Sequence, residues 1–152
     1  MPLLSPQDET YLRNAFQEQL VNDVTIALFS QRETRLTVPG QERNLEAFTQ
    51  ANEIMQELSA LSDKIHLEVY DHRSDTEKMR EYGIQRVPAA VVGTDGLRPA
   101  RFFGVIAGYE FSTLIQDIID LSKGEIDLSE ETQGVLRGLK DDVHIQVFVT
   151  PT

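Results

Sequence analysis

The side chains that could do chemistry in this chain are few and scattered. His66, His72 and His144 are far apart and share no ligand-like spacing with one another, so the pattern does not read as a metal site. Ser30, Thr34 and Thr37 follow an apolar run, but a hydroxyl without an adjacent base is a poor nucleophile. Cysteine is absent, which removes disulfides, Cys-ligated metals and thiol nucleophiles together. The acidic pairs at Asn22-Asp23 and Asp141-Asp142 lack the glycine-containing loop of a calcium site and read as strand starts. Asp71-His72-Arg73 reads as a capped or solvated strand end. Neither a cofactor nor a catalytic residue is expected from these residues alone.

Any site must be positioned by the surrounding elements, and these are well marked. Ser5-Pro6-Gln7-Asp8 sets a capping residue before a first-turn proline, with a carboxylate three residues on, and predicts a helix to about Leu20. Val24 to Phe29 is short, apolar and partly β-branched, as a buried strand requires. Gln31 to Asn44, with Pro39-Gly40, reads as an exposed loop. From Leu45 the apolar residues Phe48, Ala51, Ile54, Met55, Leu58 and Leu61 recur at spacings of three and four, the mark of an amphipathic helix. Ile65 to Tyr70 reads as a strand. Ser74-Asp75-Thr76-Glu77 is a capping box for a short helix that Gly83 should end. Pro88 to Val92 and Ala100 to Gly104 form a predicted hairpin around Thr94-Asp95-Gly96, with a loop longer than two residues. Phe111, Leu114, Ile115, Ile118 and Ile119 mark a helix stopping near Lys123-Gly124, and Ser129 to Leu139 is the last predicted helix.

Leu20 to Phe29 returns at one constant offset as Leu139 to Phe148, with Leu, Asp, Val, Ile and Phe repeating. So long a period implies duplicated domains, not a solenoid. The second copy breaks off after its first strand, Val143 to Val149, so the sequence is expected to be a piece of something longer. The expected division is a complete unit over 1–124, then a linker, one helix and one strand of a second unit over 125–152. The unpaired strand should join an available sheet edge or drive self-association.

The 152 residues suit one domain and a remnant. With 14 basic against 25 acidic residues, a net charge of −11 and no basic run, nucleic acid and anionic membranes are poor partners. No apolar stretch approaches a bilayer span and no leader pattern opens the chain; a cytoplasmic location is expected.

Helix, strand, helix, strand, helix, two strands and helix, with a parallel crossover early and an antiparallel pair late, give an α/β fold. The prediction is a three-layer thioredoxin/glutaredoxin-like arrangement: a four-stranded mixed sheet, helices on both faces and an extra N-terminal helix. Ile84-Gln85-Arg86-Val87-Pro88-Ala89-Ala90 resembles the segment around the cis-proline of thioredoxin-fold proteins. Phe102 to Phe111, Glu57 to Lys64 and Val147 to Thr152 resemble stretches of the glutaredoxin-like protein disulfide oxidoreductases, which are built from two fused thioredoxin-fold units. That resemblance implies a cis bond before Pro88 and a Cys-x-x-Cys at the start of the helix after each first strand. In the first unit the corresponding residues are Leu45-Glu46-Ala47-Phe48. Disulfide exchange needs an attacking thiolate and a resolving thiol, and leucine and phenylalanine supply neither.

The implied function is a redox-inactive thioredoxin-fold domain that stabilises or docks for a dithiol-bearing second unit. No thiol–disulfide activity is expected of this chain alone. A similar layout, with only the second of two units active, is that of the N-terminal domain of the flavoprotein component of alkyl hydroperoxide reductase. The resemblance also makes Val87 and Pro88 the place where an extended peptide would pair, with Leu45, Phe48 and Arg86 as further docking candidates. Against docking, and ahead of it, Leu45 and Phe48 read as helix packing residues, Arg86 as a surface ion-pair partner and the cis bond as something the fold itself requires. The alternative is a standalone protein- or peptide-binding module without redox chemistry. A hydroxyl-based glutathione enzyme would want a large helical second domain that this sequence does not contain.

Overall fold

The computed structural model describes residues 3–31, 42–124 and 128–148. Most of the loop expected over Gln31 to Asn44, part of the linker, and Val149 to Thr152 therefore lie outside the described residues, as do Thr34 and Thr37. The elements in order are α1 (Pro6–Gln19), β1 (Val24–Ser30), α2 (Glu42–Ser59), β2 (Ile65–Asp71), α3 (Thr76–Glu81), β3 (Ala89–Gly93), β4 (Ala100–Phe103), α4 (Tyr109–Lys123) and α5 (Glu130–Arg137).

The sheet has the order β2-β1-β3-β4. β1 is central, parallel to β2 in the register Val24 opposite Ile65 and antiparallel to β3 with Phe29 opposite Ala89. β4 closes the other edge, antiparallel to β3. This is the predicted four-stranded mixed sheet. α1, α2 and α4 cover one face, where Phe16, Ile26, Leu28, Met55, Leu58, Leu114 and Ile118 form the main core. α3 covers part of the other face over Ala27, Phe29, Ile84, Ala89 and Val91. Each of the larger buried side chains among these, the alanines aside, stabilises by about 1.5–3 kcal/mol relative to exposure.

Local signals explain the element ends. The Ser5 hydroxyl accepts the Asp8 N–H at 3.1 Å and caps α1, with Pro6 in the first turn. α4 ends on Gly124 at φ +67°, a left-handed conformation that costs glycine little. The Ser122 side chain, fully buried, ties the end of α4 to the start of β1. Its Oγ accepts the N–H groups of Val21 (2.9 Å) and Asn22 (3.0 Å) and donates to the Asn22 carbonyl (2.6 Å).

Three expectations are corrected. α2 starts at Glu42, inside the stretch expected to be loop, because the run from Glu42 to Asn44 holds no residue that prevents helix propagation. The Ser74 capping box does not form: Asp75 is the capping position of α3, and its carboxylate accepts the Asp71 N–H at 2.7 Å instead of an N–H of its own helix. Residues 143–148 form no strand and pair with no sheet edge of the chain. A strand needs a hydrogen-bonding neighbour, and the apolar pattern alone does not supply one.

The repeat makes that last point sharper. Phe16, Leu20, Val24, Ile26, Leu28 and Phe29 are all at most 5% exposed. At the same offset, Val135, Leu139, Val143, Ile145, Val147 and Phe148 are between 49% and 89% exposed. One apolar pattern is core in the first copy and bare in the second.

Candidate functional site

The predicted site residues converge at one end of the sheet, where β1 stops and β3 starts. The antiparallel register places Ser30, just after Phe29, beside Pro88, just before Ala89. The Val87–Pro88 peptide bond is cis. The Pro88 carbonyl accepts the Gly104 N–H at 2.8 Å, so β4 holds the proline in place. Val87 is half-buried and packs on the Phe29 and Ile84 cluster. Among the described residues nothing hydrogen-bonds to its main chain. Arg86 is exposed, its guanidinium 5.4 Å from the centre of the Phe103 ring, a cation–π contact where the sequence pointed to an ion pair.

α2 approaches the same corner from the main-core side. Phe48 is 6% exposed, and its carbonyl lies 3.5 Å from the Ser30 hydroxyl that donates to it. Leu45, one turn earlier, is half-buried and its carbonyl accepts from the Thr49 hydroxyl. The Phe48 ring stacks on His72 with centroids 5.3 Å apart and planes 21° from parallel. So the position that the family resemblance assigns to a thiol is filled by a packed ring.

His72 is a member of this corner that the sequence placed at a capped or solvated strand end. Its N–H donates to the Ser30 carbonyl at 2.9 Å, and its Nδ1 lies 3.0 Å from the same oxygen. A carbonyl only accepts, so Nδ1 carries a proton. Nδ1 is thereby committed to a main-chain oxygen and not to the Ser30 hydroxyl. The available signal was the parallel pairing itself, since strands β1 and β2 end together with Ser30 opposite Asp71. Asn52 was also missed. Its Nδ2 donates to the Gln31 carbonyl at 3.2 Å, while its buried Oδ1 has no hydrogen-bond donor among the described residues.

An aromatic cluster flanks the corner. Phe29 stacks on Tyr70 at 5.2 Å and meets Tyr82 at 5.4 Å, with the Lys78 ammonium about 5.9 Å and 5.8 Å from the two tyrosine rings. The Tyr70 hydroxyl donates to Glu68 at 2.7 Å. That bond, helped by burial and by the Glu68 charge, pushes the Tyr70 phenol up to about 12. Lys78, bonded to Glu81, is held above the usual lysine range. Both groups keep their ordinary charge at neutral pH, so neither is poised as an acid or base. Elsewhere, a groove of about 500 Å³ lies over the part of the sheet that α3 leaves uncovered, floored by Thr25, Ala27, Val91 and Gly93 and sided by His66, Glu68, Leu97 and Pro99. His66 pairs there with Asp23 at 3.2 Å.

Among the described residues no group of three or more His, Asp or Glu is placed to hold a metal ion. None of the described helices is long and apolar enough to cross a membrane.

No family model matches this sequence, and no curated protein sequence matches it. Solved structures do. The chain is similar to the alkylhydroperoxide reductase protein AhpF from Enterococcus faecalis, with a TM-score of 0.68 and 19% identity over 86% of this chain and 58% of that one. A structure of the NTD_N/C domain of the same protein gives a TM-score of 0.70 at 19% identity, covering 90% of this chain and 61% of that chain. A protein disulfide oxidoreductase from Aeropyrum pernix gives a TM-score of 0.65 at 27% identity, over 90% of this chain and 55% of its own. The thioredoxin-like α/β fold is thereby shown, with structural neighbours of disulfide-oxidoreductase type. The chain spans between 55% and 61% of the length of these three neighbours.

Proposed function

We propose that this chain is a redox-silent thioredoxin-fold unit whose work is to stabilise, orient or dock for a second, dithiol-bearing unit of a disulfide-oxidoreductase-type protein. The observation that carries this reading is the replacement of chemistry by packing at the Pro88 corner. Phe48 is buried against His72 there, and the Ser30 hydroxyl and His72 Nδ1 are both engaged by main-chain carbonyls. With no cysteine in the chain, no thiolate attacks and no second thiol resolves. The bare apolar faces of α5 and residues 143–148 support a division near residue 124, because the matching faces of α1 and β1 are core. A second thioredoxin-fold unit would bury them in the same way. A cytoplasmic setting goes with this reading, since the fold relies on no disulfide.

A second reading, a peptide-binding module without redox chemistry, is favoured by one observation: the main chain of Val87 is open beside an exposed Arg86. An extended peptide could pair with it by strand addition, with Leu45 at the rim and Phe48 shaping the floor beneath.

Insulin reduction tests the first reading. This chain alone is expected to leave the uncatalysed rate of reduction by dithiothreitol unchanged. Turnover above that rate would overturn the redox-silent reading.

A further inference from the structure

The open edge of β2 and the bare segment 143–148 fit one another. β2 is seven residues long and among the described residues pairs only with β1, which leaves its far side an open edge there. The hydrogen bonds at its two ends fix which groups face outward. Val24 donates to the Lys64 carbonyl and His72 to the Ser30 carbonyl, so the N–H groups of His66, Glu68 and Tyr70 point at β1 and those of Ile65, Leu67, Val69 and Asp71 point away. The outward N–H of Ile65 is taken by the Ser62 carbonyl at 3.1 Å and that of Asp71 by the Asp75 carboxylate at 2.7 Å. Between these caps, Leu67 and Val69 present N–H groups with no protein partner among the described residues.

Residues 143–148 read Val-His-Ile-Gln-Val-Phe, with Val143, Ile145 and Val147 on one side of the alternation and His144, Gln146 and Phe148 on the other. β2 alternates in the same phase: Ile65, Leu67 and Val69 turn to the main core, and His66, Glu68 and Tyr70 to the opposite face. The segment is also the repeat of β1, the strand that β2 already accepts in parallel. β4 is the poorer edge, at four residues and with Arg101 drawn onto the Tyr82 carbonyl at 3.0 Å.

We propose that 143–148 of one chain adds as a parallel fifth strand to the β2 edge of a second copy, with Val143 opposite Ile65 and Phe148 opposite Tyr70, the exchange being reciprocal about a two-fold axis. In this register His144 donates to the Ile65 carbonyl, Gln146 to the Leu67 carbonyl and Phe148 to the Val69 carbonyl. Leu67 and Val69 return their N–H groups to the carbonyls of His144 and Gln146. Val143, Ile145 and Val147 cover the half-exposed Leu67 and Val69. The Gln146 amide meets the Glu68 carboxylate, and Phe148 extends the Phe29–Tyr70 stack. The Asp75 cap on Asp71 ends the available edge one residue beyond the position opposite Phe148. The inference concerns these 152 residues taken by themselves: a second unit that took 143–148 into its own sheet would compete for the same segment, whereas activity in the insulin assay would leave the inference intact.

The cysteine-free chain allows a clean test, because directly opposed strand positions lie within disulfide reach. Chains carrying Glu68→Cys and chains carrying Gln146→Cys, mixed and oxidised, should give the mixed disulfide in large excess over a His66→Cys and Gln146→Cys mixture, which is two residues out of register. Sedimentation of the unaltered chain should show its 17.2 kDa mass doubling with concentration. Ile145→Lys, at a position 78% exposed in the single chain, should weaken that association at least tenfold without altering the far-ultraviolet circular dichroism. A monomer up to about 1 mM, equal cross-linking in both mixtures, or a disulfide confined within one chain of a Glu68→Cys, Gln146→Cys double variant would each overturn the proposal. So would open-ended aggregates in place of a dimer.

Discussion

Truncating Phe48 to alanine separates a packing role from a docking role at the Pro88 corner. Phe48 is 6% exposed and stacked on His72 at 5.3 Å, so the substitution removes a buried aromatic and one face of a ring pair. Buried Phe→Ala changes cost about 3–5 kcal/mol, of which the ring pair accounts for about 0.5–1.5 kcal/mol. Phe48 lies outside the two main apolar clusters, where neighbours relax more freely, so the low end of the range, about 3 kcal/mol, applies. With a urea dependence of about 2 kcal/mol per molar for a chain of this size, the unfolding midpoint should fall by about 1.5 M at unchanged slope. Urea titration followed by circular dichroism measures this directly. Leu45→Ala, at a half-buried position, serves as the control and should cost about 1 kcal/mol. A fall of less than about 0.5 M for Phe48→Ala would show that the ring is not a structural plug, and the redox-silent reading would lose its main physical support.

Two other outcomes follow from the hydrogen-bond network. Ser122→Ala deletes three hydrogen bonds from one buried hydroxyl and is expected to cost roughly 2–3 kcal/mol in the same titration, at about 0.5–1.5 kcal/mol per bond; a cost near zero would mean that water replaces all three. Tyr70 should ionise near 12 when absorbance at the tyrosinate band is followed against pH. Glu68→Gln should bring it back toward the ordinary value of about 10, and no shift would refute the role of the Glu68 bond. The sign is that of a raised acid: the folded state holds the Tyr70 proton more tightly than the unfolded chain. Its contribution to stability is therefore complete below about pH 10 and is lost as pH rises toward 12.

Much of this fold was legible because the relevant forces are local. The Ser5-Pro6 start of α1 and the left-handed stops at Gly83 and Gly124 are decided within a turn or two of chain and appear where expected, and the three-and-four spacing from Leu45 marks a helix that exists, with its start three residues earlier. What the sequence hid depends on contacts between distant residues. Asp75 is drawn to the Asp71 N–H by the turn that follows β2, and no capping motif encodes that choice. His72 joins the corner only because β1 and β2 end level with each other, a fact of register rather than of residue type. Residues 143–148 have the composition of a strand, yet whether they become one is decided by the neighbour available and not by their own side chains. The position of Leu45 and Phe48 was legible only through family resemblance; the burial that turns Phe48 into a plug needed the fold.

The buried Ser122 clamp has a consequence for how the chain is made. Because it joins residues 21 and 22 to a hydroxyl some hundred positions later, the first helix and the middle strand leave the ribosome long before their anchor exists. β1 must wait through α2 for β2, and through α3 for β3, before either flank is supplied. Vectorial synthesis therefore lets β1, α2 and β2 meet first, and makes the Ser122 hydrogen bonds and the packing of Leu114 and Ile118 on the sheet the last contacts of the unit to become available.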